Sequence, residues 1–380
     1  MPGTGQLPEV AFSPDFFTAQ ERFRHAARAG GWELEAHAIS AQGPQGRPLA
    51  IDVALFGSEA APRALVVSSG LHGVEGFLGS AVQLAMLSQG AAPAAARLVL
   101  LHGLNPFGFA WLRRCNARNI DLNRNFLLPG ERYDGAPPLY AQLDRLFNPQ
   151  APPARWHPRS LPLLWALLRY DHQTLARTLP VGQYEFPLGL FFGGHEPAEE
   201  HCILADHLER WIGRAETVLH LDLHTGLGRW GRVTLLVDER PSSPGACLLR
   251  ELFAGEQLVT TLAEDGAAAP RAAYVSRGSW NRWCVHRFAG RLYAFVTVEV
   301  GTYSMFHVAS ALRTENMAWH HGGACRQRYD WTRRKLAQVF APANLRWRRA
   351  ALARALRLVM QACAWASMEG RPAPTRLATA

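Results

Sequence analysis

Lysine is almost missing from this chain: among 40 basic residues Lys335 is the only lysine, and the rest are arginines. A net charge of +9 and a pI near 9.7 would otherwise suggest a nucleic-acid partner. The arginines are scattered rather than striped, so the charge reads as a solvated basic surface and no nucleic acid is expected as a partner. Paired cysteines are also missing. Cys115, Cys202, Cys247, Cys284, Cys325 and Cys363 are spread along the chain with no C-x-x-C among them, which predicts reduced, mostly buried thiols. No apolar run reaches ~18 residues, which argues against a transmembrane helix and a membrane partner. The longest candidate, "ALRLVMQACAWASM", is broken by Arg357. The N-terminus has neither the basic segment nor the apolar segment of a secretory signal, so a cytoplasmic location is expected. A G-x-S-x-G elbow is absent, which disfavours a serine hydrolase.

What is present is ample core material and a regular alternation. The 380 residues are 48% hydrophobic. Short apolar, β-rich runs alternate with amphipathic stretches, as in an α/β fold. Strands are predicted at 49–57, 63–70, 96–106, 214–226, 231–239 and 291–303, the first two as neighbours joined by a short Pro-containing turn. Residues 75–90 have apolar positions at helical spacing. Residues 199–213 read as another helix, with Glu199 and Glu200 at its positive end. Between 127 and 193 the pattern weakens while prolines and aromatics accumulate, which marks an insertion or lid rather than a linker. The stretch from about Asn316 looks helical, and the end of the chain reads as a disordered tail. The division predicted is one α/β domain over 1–345, followed by a C-terminal helix and tail over 346–380.

The chemistry concentrates in a few short stretches. "SSGLHGVEGFLGS" (68–80) places His72 and Glu75 three apart, where a strand ends and a helix begins. Gly73 would permit the sharp turn, and Ser68, Ser69 and Gly70 would leave room for an ion. "LHLDLHTG" brings His224 to the end of another strand, where ligands gather in α/β sheets. Two histidines and a glutamate, with a fourth position left to water, suit a single catalytic Zn2+ ion. "HEPAEEH" (195–201) resembles the helical H-E-x-x-H motif, but its histidines are six apart and Pro197 interrupts it. In "WLRRCNARNIDLNRNF" (111–126) arginine and asparagine recur, a composition suited to gripping carboxylates. Glu299, deep in the apolar run "FVTVEVGTY", is costly to bury unless paired or given work, and burial would suit it to be a general base.

Taken in order, "HGVEG", "NIDLNRNF", "LDLHTG" and "TVEVGTY" resemble the zinc-carboxypeptidase superfamily, which includes aspartoacylase and succinylglutamate-desuccinylase deacylases. "SGLHGVEGFLGSA", "HGLNPFGFAWLRRCN" and "GQYEFPLGLFFGG" are more similar still to a bacterial branch catalogued as a domain of unknown function. The resemblance spans roughly residues 45 to 345. It implies a single α/β domain with a mixed, mainly parallel twisted sheet flanked by helices. It also implies zinc-dependent hydrolysis of an amide bond beside a free carboxylate, in a small peptide or an N-acyl amino acid. By the resemblance His72, Glu75 and His224 hold the metal and Glu299 is the general acid/base. Asn123 and Arg124 grip the substrate carboxylate, and Arg114, in preference to Arg113, faces the scissile carbonyl. A deacylase on the same centre and a non-catalytic carboxylate- or nucleic-acid-binding protein are the alternatives. The family's mobile tyrosine has no counterpart that can be placed. Asp222 and Asp121 are expected to brace His224 and His72, and residues 182–197 to border the cleft.

Overall fold

The computed structural model describes residues 8–90, 95–154, 165–166, 168–170, 174–175, 178–264, 276–323 and 328–368. Eight strands form one sheet: β1 (Glu33–Gln42), β2 (Pro48–Phe56), β3 (Arg63–Ser69), β4 (Arg97–His102), β5 (Thr217–Gly226), β6 (Val233–Val237), β7 (Leu258–Thr260) and β8 (Leu292–Gly301). Their order is β1-β2-β4-β3-β5-β8-β6-β7. The strands β4, β3, β5 and β8 run parallel at the centre, and β2 and β6 pair antiparallel with β4 and β8 on either side. Every residue of β4 is buried, because both faces of the sheet are covered, which is why its sequence carries the continuous apolar run Leu98–Leu101.

The sheet corrects one neighbour relation. β2 and β3 are consecutive in the chain, but β4 lies between them. The helix Gly76–Ser88 carries the chain back so that β4 pairs parallel with β3. That crossover claims the edge of β3 that a hairpin from β2 would have used. Residues 57–62 therefore span two inter-strand spacings, about 10 Å, instead of closing a turn. β1 was invisible to an apolar-run reading because it is an edge strand, with mostly exposed or half-buried residues in "ELEAHAISAQ".

Alternate residues of each central strand enter two different cores. On one face Leu65, Val67, Leu219 and Leu221 pack with the helices Phe16–Ala29, Gly76–Ser88 and Leu345–Ala366. On the other, Ala64, Val66 and Val218 pack with Glu199–Ile212 and Trp280–Arg287. The C-terminal helix is thus part of the main core: Trp347, Ala351, Ala355 and Val359 are buried in it. Its start is set by Asn344, whose Oδ1 accepts from Trp347 N at 3.1 Å. The helical C-terminal region begins earlier than Asn316, at Met305, and comprises Met305–His321, Asp330–Phe340 and Leu345–Ala366. The expected tail, 369–380, lies outside the described residues, as does Cys325. Cys115, Cys284 and Cys363 are buried free thiols, while Cys202 and Cys247 are exposed. Among the described residues no helix is long and apolar enough to cross a membrane.

Candidate metal centre and active site

β3 ends at Ser69, and Gly70 turns the chain through a left-handed conformation (φ +73°) that a side chain rarely adopts. His72 then precedes a single 3-10 turn, Gly73–Glu75, that runs directly into the helix Gly76–Ser88. The reason for Gly73 is not its dihedral angles. A Cβ there would lie 2.1 Å from the backbone carbon of Gly108, so glycine is required for close approach of the two chain segments. His224 and Glu299 are Cα partners in the β5–β8 ladder, so the sheet itself sets them side by side.

Among the described residues, His72, Glu75 and His224 are the group whose ligand atoms all lie within 4.8 Å of one another. Glu75 sits between the two imidazoles: Oε1 is 3.0 Å from His72 Nδ1 and Oε2 is 3.1 Å from His224 Nδ1. Each ring turns its other nitrogen to a carboxylate. His224 Nε2 is 2.6 Å from Asp222 Oδ2, and His72 Nε2 is 3.2 Å from Asp121 Oδ1. Carboxylates behind a ligating histidine fix its tautomer and aim its free lone pair.

These residues fit a metal ion. His72 Nδ1 is buried, and although it is close to Glu75 it has no aligned hydrogen-bond partner. With the ring protons on Nε2, facing Asp121 and Asp222, both Nδ1 lone pairs point toward the Glu75 carboxylate. Two imidazole nitrogens and a carboxylate oxygen are a donor set proper to zinc. Arg114 Nη2 also lies 2.8 Å from His72 Nε2, so the tautomer chooses between Arg114 and Asp121 as that nitrogen's partner.

Charge in the site follows from these contacts. Burial works against the Glu75 carboxylate, but His72 and His224 outweigh it and hold the group below its ordinary range. Asp121 is likewise buried, yet Arg114 and His72 hold it well below the usual carboxylate value. Burial also opposes charge on His224, but Asp222 and Glu75 raise its pKa well above the ordinary imidazole value. Glu299 is the exception. Burial, with the charge of Glu75 added, pushes its pKa up to about 7. Its Oε1 accepts from Leu227 N at 2.7 Å, and no arginine among the described residues pairs with it.

The remaining candidates separate cleanly. His72, Glu75, Arg114, Asn123, Arg124, His224 and Glu299 all line one cavity of about 1180 Å3. Arg114 Nε donates to Asp121 Oδ2 at 2.9 Å and Nη1 to Glu75 Oε1 at 3.2 Å. Arg113 points elsewhere: it is buried against Glu315 at 2.7 Å and lies over the Trp319 ring. Asn123 and Arg124 lie in the 3-10 turn Leu122–Arg124, where Asn123 Oδ1 accepts from Trp280 N at 3.0 Å. Arg124 Nε donates to Pro180 O at 2.8 Å. The 182–197 loop does border this cavity, through Leu190 and Phe191, while Tyr184 and Phe192 are buried behind it.

Two bracing residues escaped sequence reasoning. Ser68 and Ser69 do not clear space for an ion. Ser68 Oγ donates to Asp222 Oδ1 at 2.7 Å and lies 2.9 Å from His220 Nε2. Ser69 Oγ donates to Gln83 Oε1 at 3.0 Å. The only signal was register, since Ser68 is the ladder partner of Asp222.

The fold, a parallel-centred sheet flanked by helices, is that of the zinc-carboxypeptidase-like α/β proteins. Bovine thrombin-activatable fibrinolysis inhibitor, solved in complex with tick carboxypeptidase inhibitor, matches with a TM-score of 0.50 at 12% identity, over 93% of this chain and 97% of that one. Murein-tripeptide amidase MpaA from Escherichia coli O157 matches with a TM-score of 0.35 at 16% identity, over 76% of this chain and 92% of that one. No curated protein matches the sequence. By sequence the chain belongs to the family described as "Protein of unknown function (DUF2817)", whose model matches residues 12–354.

Proposed function

We propose that this protein is a hydrolase with one zinc ion that cleaves an amide bond next to a free carboxylate, in the manner of a carboxypeptidase. The observation that carries the reading is the pairing of a two-histidine, one-glutamate cluster with a second buried glutamate in the next strand, one that no arginine among the described residues pairs with. A protein that only bound carboxylates would have no use for Glu299 there. His72, Glu75 and His224 would hold the ion, and zinc supplies Lewis acidity and lowers the pKa of water toward neutrality. Glu299 accepts the proton of the attacking water and later delivers it to the departing amine. Arg114 faces the oxygen on which negative charge develops. Asn123 and Arg124 hold the substrate carboxylate, which restricts cleavage to the end of a chain.

The test combines metal analysis with a substrate screen. Dipeptides and N-acyl amino acids are offered beside the same compounds capped as carboxamides. Stoichiometric zinc, and hydrolysis that requires the free carboxylate and is lost to a chelator, are expected. Equal cleavage of the carboxamides, or hydrolysis indifferent to chelation, would overturn the reading. Preference between the two acid series decides whether the enzyme is a peptidase or a deacylase.

A further inference from the structure

A phenylalanine sits at the mouth of the site in a conformation that phenylalanine avoids. Phe191 has φ +58°, in the left-handed region, where a bulky residue is an outlier. Such strain persists only where the surroundings over-determine it, and here they do. Phe191 O accepts from Gln183 N at 3.1 Å, and Phe192 O accepts from Asp121 N at 2.8 Å. On the other side, Leu190 O accepts from Tyr140 OH at 2.6 Å and Leu190 N donates to Asn148 Oδ1 at 3.0 Å. Gly193 lets the loop lie directly on the arginine segment, since a Cβ there would meet Arg124 O at 2.7 Å.

The loop is thus tied to the backbone that carries Asp121 and Arg124, and the strained residue presents its ring to the cavity. The Arg114 guanidinium carbon lies 5.5 Å from the ring centroid and that of Arg124 lies 5.9 Å from it. Both distances are within the ~6 Å reach of a cation–π contact. Asp121 and Glu75 already balance the Arg114 charge, so the ring, lying against both guanidinium groups, fixes their spacing without adding a further counter-charge.

We propose that Phe191 is a positioning residue whose ring holds the Arg114 and Arg124 guanidinium groups in register for a single carboxylate-bearing substrate. The inference rests on the reading of those arginines given above. It assigns the insertion a role in recognising the carboxylate, besides shaping the cavity wall.

The experiment is calorimetric binding of an N-acyl amino acid and of its carboxamide to the zinc-loaded protein, with thermal stability and zinc content measured alongside. Phe191→Leu is expected to weaken carboxylate binding at least tenfold and to leave carboxamide binding and zinc content unchanged. Phe191→Tyr, which keeps the ring, is expected to bind like the parent. Phe191→Met, which fills the space without a ring, carries the same expectation as leucine should that variant fail to fold. Unchanged carboxylate preference in the ringless variants, or a tyrosine variant as impaired as leucine, would overturn the proposal. So would a parent protein with no preference for the carboxylate. A parent that prefers the carboxylate but hydrolyses nothing would sink the hydrolase reading and leave the role of Phe191 standing.

Discussion

Two buried glutamates, Glu75 and Glu299, stand close enough for one to raise the pKa of the other, yet they should fail in different ways. Glu75→Gln is expected to lose zinc and activity together. Glu299→Gln should retain zinc and bind substrate while kcat falls by roughly 10²–10⁴, the usual worth of a general acid/base. Zinc content and turnover of the two variants check this, and zinc loss in Glu299→Gln would refute the division. The pH profile follows from the same group. A base must be ionised, so kcat/KM should rise with pH through the Glu299 pKa. Burial and Glu75 place that pKa at about 7, and a bound cation pulls it lower. The acidic limb is therefore expected at or below about 7, and a profile without one would count against Glu299. The neighbouring arginines should also part company. Arg114→Ala should lower kcat by about 10² or more. Arg113→Ala would strand Glu315, which is 3% exposed, and should cost about 3–5 kcal/mol of stability.

At the scale of elements, the two histidines are braced differently, one by a carboxylate on its own strand and the other from a separate segment. Asp222 shares β5 with His224, whereas Asp121 reaches His72 from the loop before the 3-10 turn Leu122–Arg124. Asparagine at either position should weaken zinc retention by roughly 10–100-fold, measured by competition with a chelator. Parent-like retention in both variants would refute the bracing role. The positions of Asp222 and His224 were legible because alternation along a strand puts residues two apart on one face. The strand–turn–helix around His72 and Glu75 was legible from its glycines. What the sequence did not disclose depends on contacts between distant segments. The insertion of β4 between β2 and β3 is decided by where the helix Gly76–Ser88 packs, and nothing local to 49–70 records it. Ser68 looks like a small spacer until the ladder sets it against Asp222. Gly73 answers to Gly108, thirty-five positions on, so a local reading attributed it to the wrong cause.

For the whole molecule, buried histidines set the response to acid. Burial lowers the pKa of His102 and His220 to about 3 and that of His201 to about 4. The unfolded chain protonates these residues below about 6.5, whereas the folded chain stays neutral until far lower pH. The stability that these residues contribute should therefore fall as pH drops from about 6.5 toward 4, by up to ~1.4 kcal/mol per pH unit for each. His224 runs the other way in the metal-free protein, because its folded pKa is raised. So does Glu299, whose folded pKa is raised to about 7, and the histidine share is therefore read by difference: the fall in denaturant midpoint between pH 7.5 and pH 5 should be smaller in His102→Gln than in the parent. Equal falls in the two proteins would mean that the His102 imidazole is not held neutral.

The ladder that pairs His224 with Glu299 also bears on descent. Both residues hang from neighbouring central strands, so their separation is inherited with the sheet and any change to it would disturb the core on both faces. Leu190 and Phe191 belong instead to a segment outside the sheet. Substitutions at Leu190 can therefore reshape the cavity wall while the ladder pair stays in place. Leu190→Ala should hold zinc like the parent and shift substrate preference, measured by metal competition and a substrate screen.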